Sequence, residues 1–269
     1  MSAADKVADE SDDEEDLRLL VQPGSSLGGA RPKASVRDDD GQLAIAKFPH
    51  KEDTVNTVLW EAVALTLARR AGIEVADWRI IPLAQKAALL VRRFDRQGNR
   101  RIPFLSAMSM LAAADDDDEL HSYQEIADAL RRHGASPRQD LAQLWRRAVF
   151  NVLISNTDDH LRNHGFLYAG PEGWRLSPAY DLNPVPVDIR PRILSTAIGA
   201  DDPAASMDLA FAHAGYFGLK PGEARGNAAE VANAVSAWRR IATAQGLKAH
   251  DIDRMASAFE HEDLAKAKG

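Results

Sequence analysis

Cysteine is absent from this chain of 269 residues, which excludes a disulfide framework, a thiolate metal site and a thiol nucleophile. A reducing, cytoplasmic location is the expectation that suits this usage. Long apolar runs are absent too. The best stretch, Ile80 to Val91, is interrupted by Pro82, Gln85 and Lys86. It falls short of the roughly 18–20 apolar residues that cross a bilayer, so no membrane partner is expected. The first residues are acidic and lack the apolar segment of a signal peptide. Positive charge is in deficit: 33 Lys and Arg against 40 Asp and Glu leave a net charge of −7. That excludes polyanion binding by bulk electrostatics, although a local basic patch is compatible with it. No internal repeat is found.

Apolar residues make up 45% and charged residues 27%, enough for a substantial core in one large domain or in a two-lobed unit with a shared cleft. Residues 1–16 carry Asp9, Glu10, Asp12, Asp13, Glu14, Glu15 and Asp16. Such a run repels itself, and a disordered tail is expected, with structure starting near Leu17. A second acidic cluster, Asp115 to Glu119, is expected to be a surface loop. Between the two clusters lie strand signals. Leu17 to Val21 precedes a glycine-rich turn. Ala34 to Val36 and Leu43 to Phe48 then flank Asp38-Asp39-Asp40-Gly41 as a hairpin. Val55, Val58, Leu59, Ala62, Val63 and Leu67 recur at helical spacing, and Gly72 stops that helix near Ala71. Trp78 to Leu83 and Ala88 to Phe94 look like strands.

The second half is mainly helical. Leu141, Leu144, Trp145, Ala148, Val149, Val152 and Leu153 form an apolar stripe that ends in the loop Asn156-Thr157-Asp158-Asp159. A hairpin is expected from Gly165 to Leu176 about Gly170-Pro171-Glu172-Gly173, and two closing helices over 226–245 and 251–267.

Phosphoryl transfer requires phosphate-binding backbone amides, a lysine, oxygen ligands for Mg²⁺ and an aspartate beside the attacking hydroxyl. Each has a candidate here. Gly28, Gly29, Ala30, Arg31, Pro32 and Lys33 form a small-residue loop with two cations. Such a loop lets amide groups approach phosphate, although it is neither a Walker A loop nor a G-x-G-x-x-G run, and alone it equally describes a plain turn. Lys47 ends the strand that follows, and Glu61 on the next helix is its natural ion-pair partner. Asp158 and Asn163 stand five apart, the D-x-x-x-x-N spacing in which the aspartate orients the hydroxyl and the asparagine binds metal. Tyr180-Asp181 follows the second hairpin, where a metal-binding aspartate belongs. The joint order is more informative than any single part.

Four segments carry a resemblance to the HipA family of bacterial serine/threonine kinases: Ser25 to Lys33, Arg93-Phe94-Asp95-Arg96, Asn156 to His164, and Leu176 to Leu182. The resemblance runs from about Leu17 to the C-terminus. It implies an α+β, protein-kinase-like two-lobed fold, with a small β-rich N-lobe over 17–105 and a larger, mainly helical C-lobe over 106–269. It implies ATP and Mg²⁺ as cofactors, with Gly28 to Lys33 and Lys47 on the phosphates and Arg92, Arg93 and Phe94 on the hinge near adenine. It further implies Asp158 as catalytic base, His160, Asn163 and Tyr180 lining the nucleotide site, and Asn163 and Asp181 as metal ligands. The family often has an acidic residue where Arg92 stands. Ser26 matches a loop serine that family members autophosphorylate, and a phosphate there would add close to two negative charges beside those of ATP. The expected activity is transfer of the γ-phosphate to a protein hydroxyl, with an aminoacyl-tRNA synthetase as target and growth arrest or persistence as outcome. The expected partners are that substrate and a HipB-like antitoxin, through which DNA would be reached only indirectly. Family members usually carry a further N-terminal domain, so the chain is expected to be a kinase core with that domain absent or shortened.

Two other readings stay open on the residues themselves. One is a metal-dependent hydrolase using Asp158, Asp159, His160 and His164. The other is a kinase-like binding module without catalysis.

Overall fold

The computed structural model describes residues 32–50, 53, 55–83, 86–98, 100–114 and 119–269. The expected acidic tail, the strand at Leu17 to Val21, Ser25, Ser26, Gly28, Gly29, Ala30 and Arg31 lie outside the described residues, as does most of the second acidic cluster.

The expected first hairpin is present. Strands β1 (Lys33–Arg37) and β2 (Leu43–Lys47) pair antiparallel, with Lys33 opposite Lys47 and Arg37 opposite Leu43. Gly41, at φ +72, supplies the left-handed backbone that closes the turn. The Asp38 carboxylate accepts the Gln42 amide at 2.8 Å. Strands β3 (Trp78–Leu83) and β4 (Lys86–Arg92) complete a sheet of order β1-β2-β4-β3. Side chains alternate between the two faces of a strand. Ala44, Ala46 and Leu90 therefore form a small cluster on one face, whereas Lys47 stands opposite Leu89 on the other.

Helix α1 (Thr57–Arg70) begins where the Asn56 side chain accepts the Leu59 amide at 3.1 Å, and it stops before Gly72 at φ +70. Its buried residues include Trp60 and, unusually for an apolar face, Glu61. Two-residue strands β5 (Arg96–Gln97) and β6 (Arg100–Arg101) follow. β7 (Phe104–Ser106) pairs with β8 (Gly165–Tyr168), which pairs with β9 (Trp174–Leu176). Just before the expected lobe junction, the chain thus already belongs to the second sheet.

Helices α2 (Ala107–Leu111), α3 (Tyr123–His133) and α4 (Pro137–Leu153) come next. The apolar stripe read from the sequence is the buried face of α4. Helix α3 has no counterpart among the elements expected from the sequence, although its start carries a Ser122–Glu125 capping box. The two closing helices are corrected by the structure. They are α6 (Pro221–Val235), α7 (Trp238–Ala244), α8 (Ala249–Arg254), α9 (Ala256–Phe259) and α10 (Glu262–Lys268), after α5 (Met207–His213). Helical periodicity is blind to these breaks, because packing fixes them. Trp238 and Phe259 stack with ring centroids 4.5 Å apart, and both lie against Trp60 of α1 at 6.2 and 6.1 Å. The principal core runs without interruption from α1 and β4 through α3 and α4 to these last helices. Among the described residues no helix is long and apolar enough to cross a membrane.

His261 starts α10 with its side chain 9% exposed. Burial, with Arg192 nearby, pushes it down to about 4. Between about pH 4 and 6.5 the unfolded chain binds a proton there that the folded one refuses, so stability rises with pH across that window and falls on acidification. The expected contribution is about 3 kcal/mol at most. Urea unfolding at pH 4.5 and 7 should show a smaller pH dependence for His261→Asn than for the wild type.

Candidate active site

The strand periodicity that places Lys47 beneath α1 brings it to Glu61. The Lys47 ammonium donates to Glu61 Oε1 at 2.6 Å and to Asp181 Oδ1 at 2.9 Å. Burial alone would favour the neutral amine, but the two carboxylates outweigh it and hold Lys47 well above its ordinary value. Glu61 is itself pushed up by burial, with Lys47 opposing. Burial would also raise Asp181, yet Lys47, its hydrogen bond and the charge of Lys33 hold it at about 2. The Lys33 charge also falls on Glu61, so the end of the glycine loop reaches this cluster. The carbonyl of Pro32 accepts the Phe48 amide at 3.0 Å. Asp181 sits at φ +57, a left-handed conformation that a non-glycine residue adopts only when its surroundings hold it there.

The loop after α4 is tightly folded. His160 N–H donates to Asp158 O at 3.0 Å, and Asn163 N–H to His160 O at 2.8 Å. The Asn163 side-chain amide donates to Asp158 O at 3.1 Å, which pins both members of the D-x-x-x-x-N pair. The Asp158 carboxylate is exposed and accepts from Arg190 Nη1 at 2.8 Å. Asp159, next in sequence, points the other way. Fully buried, it meets His164 Nε2 at 2.9 Å and the Tyr123 hydroxyl, which accepts from Asn151 Nδ2 at 2.8 Å. Burial would raise Asp159, but His164, Tyr123 and Asn151 outweigh it and hold its carboxyl below the usual range. The same burial and the same carboxylate push Tyr123 well up.

This division separates the four residues of the hydrolase reading. Asp158 faces outward and Asp159 inward, and among the described residues no group of three or more His, Asp or Glu is arranged to hold a metal.

The three expected hinge residues also divide. The Arg92 guanidinium is gripped by Asp38 and Asp40, each at 2.8 Å, on the β1–β2 turn. Arg93 forms a two-point pair with Asp95 at 2.8 and 2.6 Å. Their backbone amides donate to Asp77 O and Leu43 O. Phe94 alone reaches the neighbourhood of Asp181. It packs on Tyr180 at 5.7 Å and on Phe104 at 6.0 Å. The Tyr180 hydroxyl donates to Arg162 O at 2.7 Å. Phe104 and Arg147 belong to the site and were not expected there. Arg147 is buried, donates to Ser177 O at 2.5 Å and is pushed down by burial to about 10. Its signal was a cation set within the apolar stripe of α4, a position that demands a partner.

Mg²⁺ takes hard oxygen donors. Asp181 offers an ionised carboxylate. Asn163, its amide nitrogen engaged by Asp158 O, has its oxygen as the remaining end. His160 Nδ1 is buried without a hydrogen-bond partner among the described residues. The residues present fit a nucleotide with its metal.

An antiparallel sheet bearing a lysine, a helix bearing its glutamate partner, and a helical lobe bearing the aspartate loop define a protein-kinase-like two-lobed α+β fold. The HipA-like C-terminal domain model matches residues 25–238, and the chain belongs to that family. Serine/threonine-protein kinase toxin HipA of Shewanella oneidensis is 26% identical over 191 residues, 60% of this chain and 43% of that protein. The solved complex of Shewanella oneidensis HipA, HipB and operator DNA contains a chain matching with TM-score 0.70 at 21% identity, over 92% of this chain and 65% of that one. The Helicobacter pylori proinflammatory kinase CtkA matches with TM-score 0.66 at 13% identity, over 88% and 92%. The chain spans about half the length of the curated relatives it matches.

Proposed function

We propose that this chain is an ATP-dependent serine/threonine protein kinase. The observation that carries the reading is the Lys47 ammonium held between Glu61 at 2.6 Å and Asp181 at 2.9 Å, which requires partners from a strand, a helix and a distant loop. Asp158 orients the acceptor hydroxyl and takes its proton as the hydroxyl oxygen bonds to the γ-phosphorus and the bond from that phosphorus to the β–γ bridging oxygen breaks, releasing ADP. Lys47, with Lys33 and the glycine loop, binds the phosphates. Asn163 and Asp181 would hold Mg²⁺, which when bound offsets charge on the phosphates. Phe94 and Tyr180 offer apolar surface to the base, and His160 a polar lining. Family membership and the named kinase relatives support the class of activity.

The acceptor is a protein hydroxyl, with an aminoacyl-tRNA synthetase the target the family resemblance suggests. Ser26 is the proposed site of self-modification. A HipB-like antitoxin is the proposed partner, supported by the match to HipA in its complex with HipB and operator DNA. DNA contact would come only through that partner, and the proposed location is the cytoplasm.

The test is intact-mass spectrometry of the purified chain before and after incubation with ATP and Mg²⁺, beside Asp158→Ala. The expected result is one added phosphate in the wild type alone, mapped to Ser25 or Ser26. An unphosphorylated wild type that gains no mass and transfers no phosphate to added protein would refute the activity.

A further inference from the structure

We infer that Arg190 determines specificity: it reads an acidic side chain beside the acceptor hydroxyl, on a platform formed by residues 184–195. This inference rests on the kinase reading. After Asp181 the chain runs to α5 without helix or strand, yet the segment is fixed in place. Pro184, Pro186 and Pro191 restrict its backbone. The Val185 amide donates to Ser155 O at 3.2 Å and the Val187 amide to Ser257 Oγ at 3.1 Å. Arg192 is the anchor beneath. Its guanidinium donates to Ser155 Oγ at 3.1 Å, Asp263 Oδ2 at 2.7 Å and Val152 O at 3.0 Å.

A turn in which Ile189 and Arg190 both donate to Pro186 O, at 3.0 and 3.2 Å, then delivers the Arg190 guanidinium to Asp158. This pair differs from those around it. The side chains of Arg190 and Asp158 are 48% and 62% exposed, whereas Arg192 and Asp263 are 19% and 4% exposed. Open ion pairs are weakly held. A hydroxyl coming to the Asp158 carboxylate meets Arg190 first, and a second carboxylate on the incoming chain gives the displaced guanidinium a planar partner.

Apolar surface lies on the same platform. Of six exposed large hydrophobic residues among those described, Val187, Ile189 and Ile193 fall in this one stretch. Asp188 is directed to Arg254 at 3.6 Å, so it leaves Arg190 to Asp158. The occupant that suits this surface is a protein segment carrying a serine or threonine, an acidic neighbour and a bulky apolar neighbour.

The test uses two synthetic serine peptides that differ only in Glu or Lys beside the acceptor. Each is presented to the full chain and to Arg190→Glu. Phosphate incorporation is read with ATP and Mg²⁺, and binding by fluorescence anisotropy with a non-hydrolysable ATP analogue. The expected result is about a tenfold preference of the wild type for the Glu peptide, reversed in Arg190→Glu. Equal use of both peptides by an active wild type overturns the inference and leaves the kinase reading intact. Equal acceleration of both by Arg190→Ala also overturns it, because Arg190 would then merely block Asp158. Charge-dependent binding that reverses in Arg190→Glu without any transfer would keep Arg190 as the reader of the acidic side chain but overturn its link to an acceptor hydroxyl, together with the kinase reading. Absence of both binding and transfer overturns the inference.

Discussion

Asp158→Ala should lower phosphotransfer about a thousandfold, the range expected when a positioned base is removed, while nucleotide affinity changes little. The carboxylate lies outside the Lys47 cluster and touches Arg190. Its loss therefore leaves the phosphate-binding lysine and its partners in place. Asp181→Ala should behave differently. It removes one of the two anions that hold Lys47 and a proposed Mg²⁺ ligand, so nucleotide binding in the presence of Mg²⁺ should weaken at least about tenfold as transfer disappears. Titration of each variant with a fluorescent ATP analogue, with and without Mg²⁺, beside a transfer assay, separates the two roles. Retained turnover in both variants would refute them.

Asp159→Ala should destabilise the fold by about 3–5 kcal/mol, as expected when one partner of a buried charged network is deleted. Asp159 is 2% exposed, and its removal leaves His164, also 2% exposed, and the Tyr123 hydroxyl without their shared acceptor. Asp159→Asn keeps a carbonyl oxygen in the same place and should lose only about 1–3 kcal/mol. Urea unfolding of the two variants checks both values. A loss below about 1 kcal/mol for Asp159→Ala would show that the network contributes little to the fold. The same measurement bears on the site, because Asp159 and Asp158 are adjacent, and anchoring one side chain inward fixes the direction of the other.

Local patterns made much of this protein legible in advance. The Asp-Gly hairpin, the helix that ends before Gly72, the buried stripe of α4 and the second hairpin each follow from contacts within a few residues, or from periodicity along one element. The order of glycine loop, lysine, glutamate, aspartate loop and final aspartate is likewise a property of the chain, and it led to the family. Tertiary structure alone decided the rest. Lys47 and Asp181 are 134 positions apart, and no spacing rule shows that one ammonium will bridge Asp181 and Glu61. Two adjacent aspartates are identical in sequence terms. Only the hydrogen-bonding partners Tyr123 on α3, Asn151 on α4 and His164 just before β8 turn Asp159 inward and leave Asp158 to Arg190. The closing helices break where they do because Trp238 and Phe259 must stack beneath Trp60. Periodicity specifies an element and the face it buries; which buried group meets which is settled by long-range packing.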